Sequence, residues 1–305
     1  MRALVRITIV ALLLCVSVAT SHAAEPFEAG IEAYRAGDYT TAARWFRQAA
    51  DQGSAEAQHN LGALYDAGLG VTPDHTAAAE WYRKAADQGH AVSQYNLGLM
   101  YFWGKTVPQD YVTAAEWFRK AADQGLAQAQ NNLGVIYNIV QDYAAALAWY
   151  RKAAAQGNAM AQNSIGMMYF EGKGVPQDYA AAFGWYQIAA DQGSAEAQHN
   201  LGVMYAEGRS VPQDYSTAVA WFKKAADQNY AGSQHRLGAM YALGQGVPQD
   251  YIRAYLWSQL ATLHYTALQT VLRDQAAQNR DIAAKQMTPA QIAEAQRLLR
   301  EWTPK

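Results

Sequence analysis

The chain of 305 residues has a single cysteine, eight prolines and charges on only 16% of its positions. One cysteine cannot build a disulfide framework or a thiolate metal site. The charges are balanced as well as sparse, with 24 basic and 26 acidic residues and a formal net charge of −2. A partner made of phosphates needs a basic stripe, so nucleic acid is excluded as the partner class. Glycine and proline are too few for a collagen-like or low-complexity chain. The 51% of hydrophobic residues excludes a disordered one. Ala, Gln, Asn and Tyr stand where an ordinary soluble domain carries about 25% charge, which predicts helices covered by small and uncharged polar side chains.

Long apolar runs are also missing, with one exception at the start. Arg2 and Arg6 precede the uncharged stretch Ile7 to Val18, and Ser21-His22-Ala23 places small residues at −3 and −1 of a cleavage site. This is the layout of a secretory signal peptide, so residues 1–23 are expected to be removed after Ala23. The run is short for a membrane span of about 20 residues. Leu14 before Cys15 excludes a lipid anchor on that cysteine. Cleavage removes the lone cysteine and makes the net charge more negative. The expectation is an exported chain, periplasmic or secreted, with no stable membrane insertion and a core large enough to hold without disulfides.

That core is built by repetition. Trp45, Trp81, Trp117, Trp149, Trp185, Trp221 and Trp257 follow one another at intervals of 36 residues, except for 32 between Trp117 and Trp149. The repeat array spans 24–265, with units 27–53, 54–89, 90–125, 126–157, 158–193, 194–229 and 230–265, followed by a non-repeating tail, 266–305. Each unit reads as helix, loop, helix. Ala57, Leu61, Leu64 and Tyr65 form an i, i+4, i+7, i+8 stripe, and Ser93, Leu97, Met100 and Tyr101 repeat it. In the loop Val107 to Asp110 the aspartate is placed to cap the second helix. Ala114, Trp117, Phe118, Ala121 and Ala122 line that helix, and Gly125 ends it. Nothing alternates with a strand period, so the fold class is all-α.

Gly62, Gly98, Gly134, Gly166, Gly202 and Gly238 sit inside the first helices, where glycine costs about 1 kcal/mol relative to alanine. Their recurrence predicts a helix crossing too close for a Cβ atom. Gln58, Gln94, Gln130, Gln162, Gln198 and Gln234 recur one turn earlier and are read as ties to loop backbone. In the tail, Thr288-Pro289-Ala290-Gln291 is a capping box with Pro at the first helical position. Ile292, Ala295, Leu298, Leu299 and Trp302 form an apolar stripe suited to closing the last repeat.

The pattern A-x-A-Q-x-x-L-G-x-M-Y-x-x-G-x-G-V-P-Q-D-Y-x-x-A-x-x-W-Y-x-K-A-A-x-Q-G resembles the Sel-one-like repeat, a relative of the tetratricopeptide repeat. The resemblance covers 27–265, and Arg280-Asp281 with Met287 to Trp302 looks like the usual end of such arrays. It implies an α-solenoid, a right-handed superhelix of helix-loop-helix repeats with a C-terminal helical cap, whose concave face binds other proteins as a scaffold, adaptor or regulator. Two departures stand out. Unit 126–157 lacks four loop residues, so Tyr137 lies five residues from Asp142, and unit 27–53 has a tetratricopeptide-type turn at Gly37-Asp38-Tyr39.

Motifs of catalysis are missing. There is no His-Glu-x-x-His pair, no phosphate loop and no Gly-x-Ser-x-Gly elbow. His59, His199 and His235 share one repeat position and face along the stack. The expectation is a non-enzyme with no cofactor and no metal. Function is then sought where the repeats differ. Unit 54–89 carries Glu56, His59, Ala63, Asp66 and Ala67 on one helix face. Unit 90–125 has Val92, Tyr95, Leu99, Phe102 and Trp103 there, and unit 158–193 has Met160, Asn163, Met167, Phe170 and Glu171. Large aromatic and Met side chains suit an interface, but they also suit packing between repeats. Tyr95, Leu99, Phe102, Trp103, Met167 and Phe170 are the candidate partner-binding residues, expected to form one patch for a protein or peptide. The alternative is a cell-wall or polysaccharide-binding module in which Tyr95, Phe102 and Trp103 stack on sugars.

Overall fold

The computed structural model describes residues 24–104 and 106–304. The expected signal peptide, 1–23, lies outside the described residues. Among these there are sixteen helices and no strand. In chain order they are α1 (Ala24–Arg35), α2 (Tyr39–Asp51), α3 (Ala55–Ala67), α4 (His75–Asp87), α5 (Ala91–Trp103), α6 (Tyr111–Asp123), α7 (Ala127–Ile139) and α8 (Tyr143–Ala155). There follow α9 (Ala159–Glu171), α10 (Tyr179–Asp191), α11 (Ala195–Glu207), α12 (Tyr215–Asp227), α13 (Ala231–Leu243), α14 (Tyr251–His264), α15 (Thr270–Lys285) and α16 (Pro289–Arg300). The chain divides into two compact units, one up to Val140 and one from Gln141. In each, consecutive helices pack on one another in the manner of a repeat α-solenoid.

Local chemistry sets the helix ends. Asp74, Asp110, Asp178, Asp214 and Asp250 cap the second helices from extended backbone, as at Asp110 with φ −146° and ψ 102°. Each carboxylate accepts backbone N–H groups of the first turn. Asp38 and Asp142, which follow the short turns, cap from a different geometry, φ −83° and −80° with ψ 75° and 74°. The four-residue deletion therefore leaves unit 126–157 with the tight turn of the first unit. Gly125 ends α6 at φ 92°, as expected.

The helical glycines do mark a close crossing, by an aromatic ring at Gly62, Gly98, Gly166 and Gly202 and by Ser258 at Gly238. A Cβ on Gly62 would lie 2.9 Å from Tyr82, on Gly98 2.4 Å from Phe118, on Gly166 2.6 Å from Tyr186 and on Gly202 2.6 Å from Phe222. Gly30 does the same for Phe46 in the first unit. These rings, one residue after each tryptophan, are the most buried large side chains of their helices. The tryptophans themselves are less uniform than their spacing suggests. Trp81, Trp117, Trp149 and Trp257 are buried, but Trp45, Trp185 and Trp221 are only half-buried. Lys84, Lys120, Lys152 and Lys224 each lay an ammonium 3.8–3.9 Å from the tryptophan three residues earlier. On α10 that place is taken by exposed Ile188, and Trp185 is not the full core residue its position predicts.

The recurrent glutamines join neighbouring repeats through a helix end rather than a loop. Gln58 donates to the Ala50 carbonyl at 3.1 Å and accepts from Gln88 at 2.8 Å. Gln94, Gln162 and Gln198 repeat both bonds, while in the last repeat His264 bonds Gln234 in place of a glutamine. Arg83 donates to the Tyr101 hydroxyl at 2.7 Å, and Arg47 and Arg119 do the same to Tyr65 and Tyr137. The tail closes the last repeat. Thr288 and Gln291 form the capping box, and Leu298, Leu299 and Trp302 pack on the core around Trp257, with the two indoles 5.0 Å apart edge to face.

Candidate partner-binding surface

The variable residues of α5 are positioned by the glycine–ring core beneath them. Phe102 lies 6.3 Å from Phe118, the ring that fills the space at Gly98, and 5.3 Å from Tyr111. It holds Trp103 edge to face at 4.9 Å and 88°. Trp103 stands outside this stack with 62% of its surface exposed. Tyr95 points to the next repeat, where its hydroxyl accepts from Asn132 at 3.5 Å, and it is half-buried beside Phe118. Burial pushes its phenol up from the ordinary value. Leu99 is half-buried.

The variable residues of α9 belong to the other compact unit and divide in the same way. Met167 is 42% exposed and its sulfur lies 3.8 Å from the Asn163 amide nitrogen. Phe170 is half-buried, edge to face with Tyr179 at 5.2 Å and under the Arg209 guanidinium at 5.1 Å. Of the six candidates, then, Trp103 and Met167 are presented to solvent. Tyr95 and Phe170 also reach the next repeat, Phe102 packs within its own, and Tyr95, Leu99, Phe102 and Trp103 lie on one helix.

The histidines of the shared repeat position are joints. His59 Nδ1 lies 2.9 Å from Ser93 Oγ, and His199 Nδ1 2.9 Å from Ser233 Oγ, each in the following repeat. Burial, with nearby His90, lowers the His59 pKa to about 3; burial, with Arg236, lowers that of His199 to about 4. Both imidazoles are neutral links at ordinary pH. Among the described residues no group of three or more His, Asp, Glu or Cys side chains is arranged to hold a metal ion, and no helix is long and apolar enough to cross a membrane.

Sequence reasoning missed a second surface. Along α6, a groove of about 490 Å³ is lined by Tyr111, Val112, Ala115, Glu116, Arg119 and Lys120, with Ile136 and Val140 on its other wall. Val112 is 71% exposed and Val140 61%. None of the α6 residues departs from its repeat in a way that draws attention. The signal was the four-residue gap in the following loop.

Comparison with known proteins agrees with this architecture. The Sel1 repeat pattern matches seven times, at 27–54, 55–90, 91–126, 127–158, 159–194, 195–230 and 231–264. A Sel1 repeat protein from Oxalobacter formigenes is 35% identical, with 78% of this chain and 100% of that one covered and a TM-score of 0.72. A protective antigen present in uropathogenic Escherichia coli strains, displaying an SLR fold, is 31% identical, with 92% and 68% covered and a TM-score of 0.58. A search of curated proteins found no match. Sel1 repeat proteins are generally scaffolds for protein–protein interaction, typically without catalysis. With seven repeats spanning residues 27–264, well over half of the chain, this protein belongs to the Sel1 repeat family.

Proposed function

We propose that the chain is an exported, non-enzymatic scaffold of the cell envelope, periplasmic or secreted, that holds a protein or peptide partner on the concave face of its solenoid. The observation that carries the reading is Trp103, a large indole 62% exposed and braced by Phe102 rather than collapsed onto the core. An exposed aromatic held rigid at the surface loses little entropy on binding and gains about 25 cal/mol per Å² of apolar area covered. Tyr95, Leu99 and Phe102 extend the same helix face, and Met167 and Phe170 are the corresponding contacts on α9. Export rests on the n/h/c layout of residues 1–23.

The test is cross-linking in cells followed by affinity purification, comparing the unaltered chain with Trp103→Ala. Capture of one defined polypeptide by the former and its loss from the latter, with unchanged melting temperature, is the expected result. Co-sedimentation with purified wall material, with no polypeptide captured, supports the sugar-binding alternative instead. An N-terminus still carrying residues 1–23 refutes export by cleavage.

A further inference from the structure

Elsewhere in the array, the loop of one repeat covers the start of the second helix of the repeat before it. Gly70, at φ 68°, lies so close to the first turn of α2 that a Cβ on it would sit 2.2 Å from the Tyr39 carbonyl carbon and 2.4 Å from the Thr40 nitrogen. Gly246, at φ 71°, meets Tyr215 and Ser216 of α12 in the same way, at 2.3 and 2.7 Å, and the Ser216 hydroxyl donates to its carbonyl at 3.3 Å. Gly174, at φ 70°, approaches Tyr143 of α8. Glycine is the residue best suited to such an approach at a left-handed φ, and Ser210 takes the equivalent place in its own repeat at φ 66°. The valine after Gly70 and after Gly246 follows it in: Val71 and Val247 pack against the core clusters of their repeats. Each of these second helices is thus a seat for a loop turn, Gly-Val-Pro over α8 and α12 and Gly-Val-Thr-Pro over α2.

The helix α6 has the seat but not the turn, because the repeat after it is the one that lost four loop residues. The groove along α6 lies there, lined by Tyr111, Val112 and Ala115 opposite Ile136 and Val140. Tyr111 is the aromatic that opens α6, as Tyr39, Tyr143 and Tyr215 open the covered helices. We infer that this groove is a docking site for a peptide turn of the Gly-x-Gly-Val-Pro type supplied by the partner protein, which completes in trans the contact that the other repeats make in cis. The occupant is specified by the covered seats: a glycine for the approach to the Tyr111–Val112 backbone, then a small branched apolar side chain, then a proline that fixes the turn. The apolar walls left uncovered are unfavourable in water and give the turn its hydrophobic gain. The inference rests on the protein-binding reading but names a surface other than Trp103.

The probe is a labelled synthetic peptide with the sequence of residues 170–179, Phe-Glu-Gly-Lys-Gly-Val-Pro-Gln-Asp-Tyr, titrated into the purified chain by fluorescence polarisation. Saturable binding is expected, weakened at least tenfold when the peptide's second glycine is replaced by valine. Val112→Lys, at a site 71% exposed, should also weaken it at least tenfold without changing the melting temperature. Trp103→Ala should leave it unchanged, which separates this site from the indole surface. Replacing residues 138–141 by the eight residues 170–177 restores the long loop and should abolish peptide binding while raising the melting temperature. Absence of saturable binding by the unaltered chain overturns the inference. So does undiminished binding by folded Val112→Lys, or by the loop-restored chain.

Discussion

The glycine–ring contact can be tested by making the same substitution at two helical glycines and expecting opposite signs. Gly166 in α9 and Gly184 in α10 both lie inside helices with ordinary negative φ. In solvent an alanine at either place stabilises the helix by about 1 kcal/mol. At Gly184 nothing lies within 4 Å of the added Cβ, so the full gain is expected. At Gly166 the Cβ would stand 2.6 Å from two carbons of the Tyr186 ring and 3.3 Å from the Ala182 carbonyl oxygen. Tyr186 is 2% exposed, and its ring cannot step aside without disturbing Phe170, 6.5 Å away. Overpacking of this kind costs about 1–3 kcal/mol, which offsets the helical gain and leaves a net loss of up to about 2 kcal/mol. At about 2–4 °C per kcal/mol for a unit of this size, Gly184→Ala should melt a few degrees higher than the unaltered chain and Gly166→Ala at or below it. The assay is thermal unfolding followed by circular dichroism. Adding Tyr186→Leu to Gly166→Ala should cost less than the sum of the two single changes, since they act on one contact. If Gly166→Ala melts as high as Gly184→Ala, the ring yields freely and the close approach is not what keeps glycine there.

Three further outcomes follow from the joints between repeats. His59 and His199 have folded pKa values lowered to about 3 and about 4, so below pH 6.5 the unfolded chain binds protons that the folded chain does not. Stability should be fully present above pH 6.5 and fall as pH drops from there toward 4, by up to about 1.4 kcal/mol per pH unit for each histidine. Urea melts from pH 7 to 4.5 should show this, and His59→Gln should flatten the slope; a pH-independent midpoint refutes the neutral-joint assignment. Gln198→Leu removes the bonds to Ala190 and Gln228 and should cost about 1–3 kcal/mol, with faster amide exchange at the α10 end; a change within about 0.5 kcal/mol means the glutamine is dispensable. Trp81→Ala should cost about 3–5 kcal/mol as for other buried aromatics, and half-buried Trp185→Ala about half as much; equal losses at the two sites contradict the uneven burial.

Most of the fold was legible because each repeat states its own packing in residue types. Gly62 and Gly98 announced a crossing, Asp110 a cap, and Thr288 with Gln291 another, and each depends only on neighbours a few residues away or on the same contact made again and again. The fixed spacing of the tryptophans misled at Trp45, Trp185 and Trp221, which are half-buried, because spacing gives a ring's repeat position but not how much of it the neighbouring repeat covers. Gln58 was read as a local tie, but its partners, Ala50 and Gln88, stand at the ends of two different helices. The candidate surface was half legible. Hydrophobicity at variable positions picked out Trp103 and Met167, which are exposed, together with Tyr95 and Phe170, which also reach the next repeat, and Phe102, which packs within its own. Sequence gives the chemistry of a side chain at a variable position but not the side of the helix packing on which its far end emerges.

The groove along α6 shows why a search among variable residues cannot find every surface of a repeat protein. Tyr111, Ala115, Glu116 and Lys120 match types that other second helices carry, and in α2, α8 and α12 the first turn lies under a loop. What changed was the cover, and the cover belongs to the following repeat. A loop deletion in one unit therefore acts on the unit before it, and the residues it exposes look ordinary because they were selected to be covered. Stability makes such an opening tolerable: in a stack, each repeat is held by its own core and its neighbours, and α6 keeps the buried Trp117, Phe118 and Ala121 whether or not its first turn is covered. The same reasoning applies to any solenoid whose loops lie over the preceding repeat. A shortened loop identifies an uncovered seat one helix upstream, and the loops that remain specify what fits it.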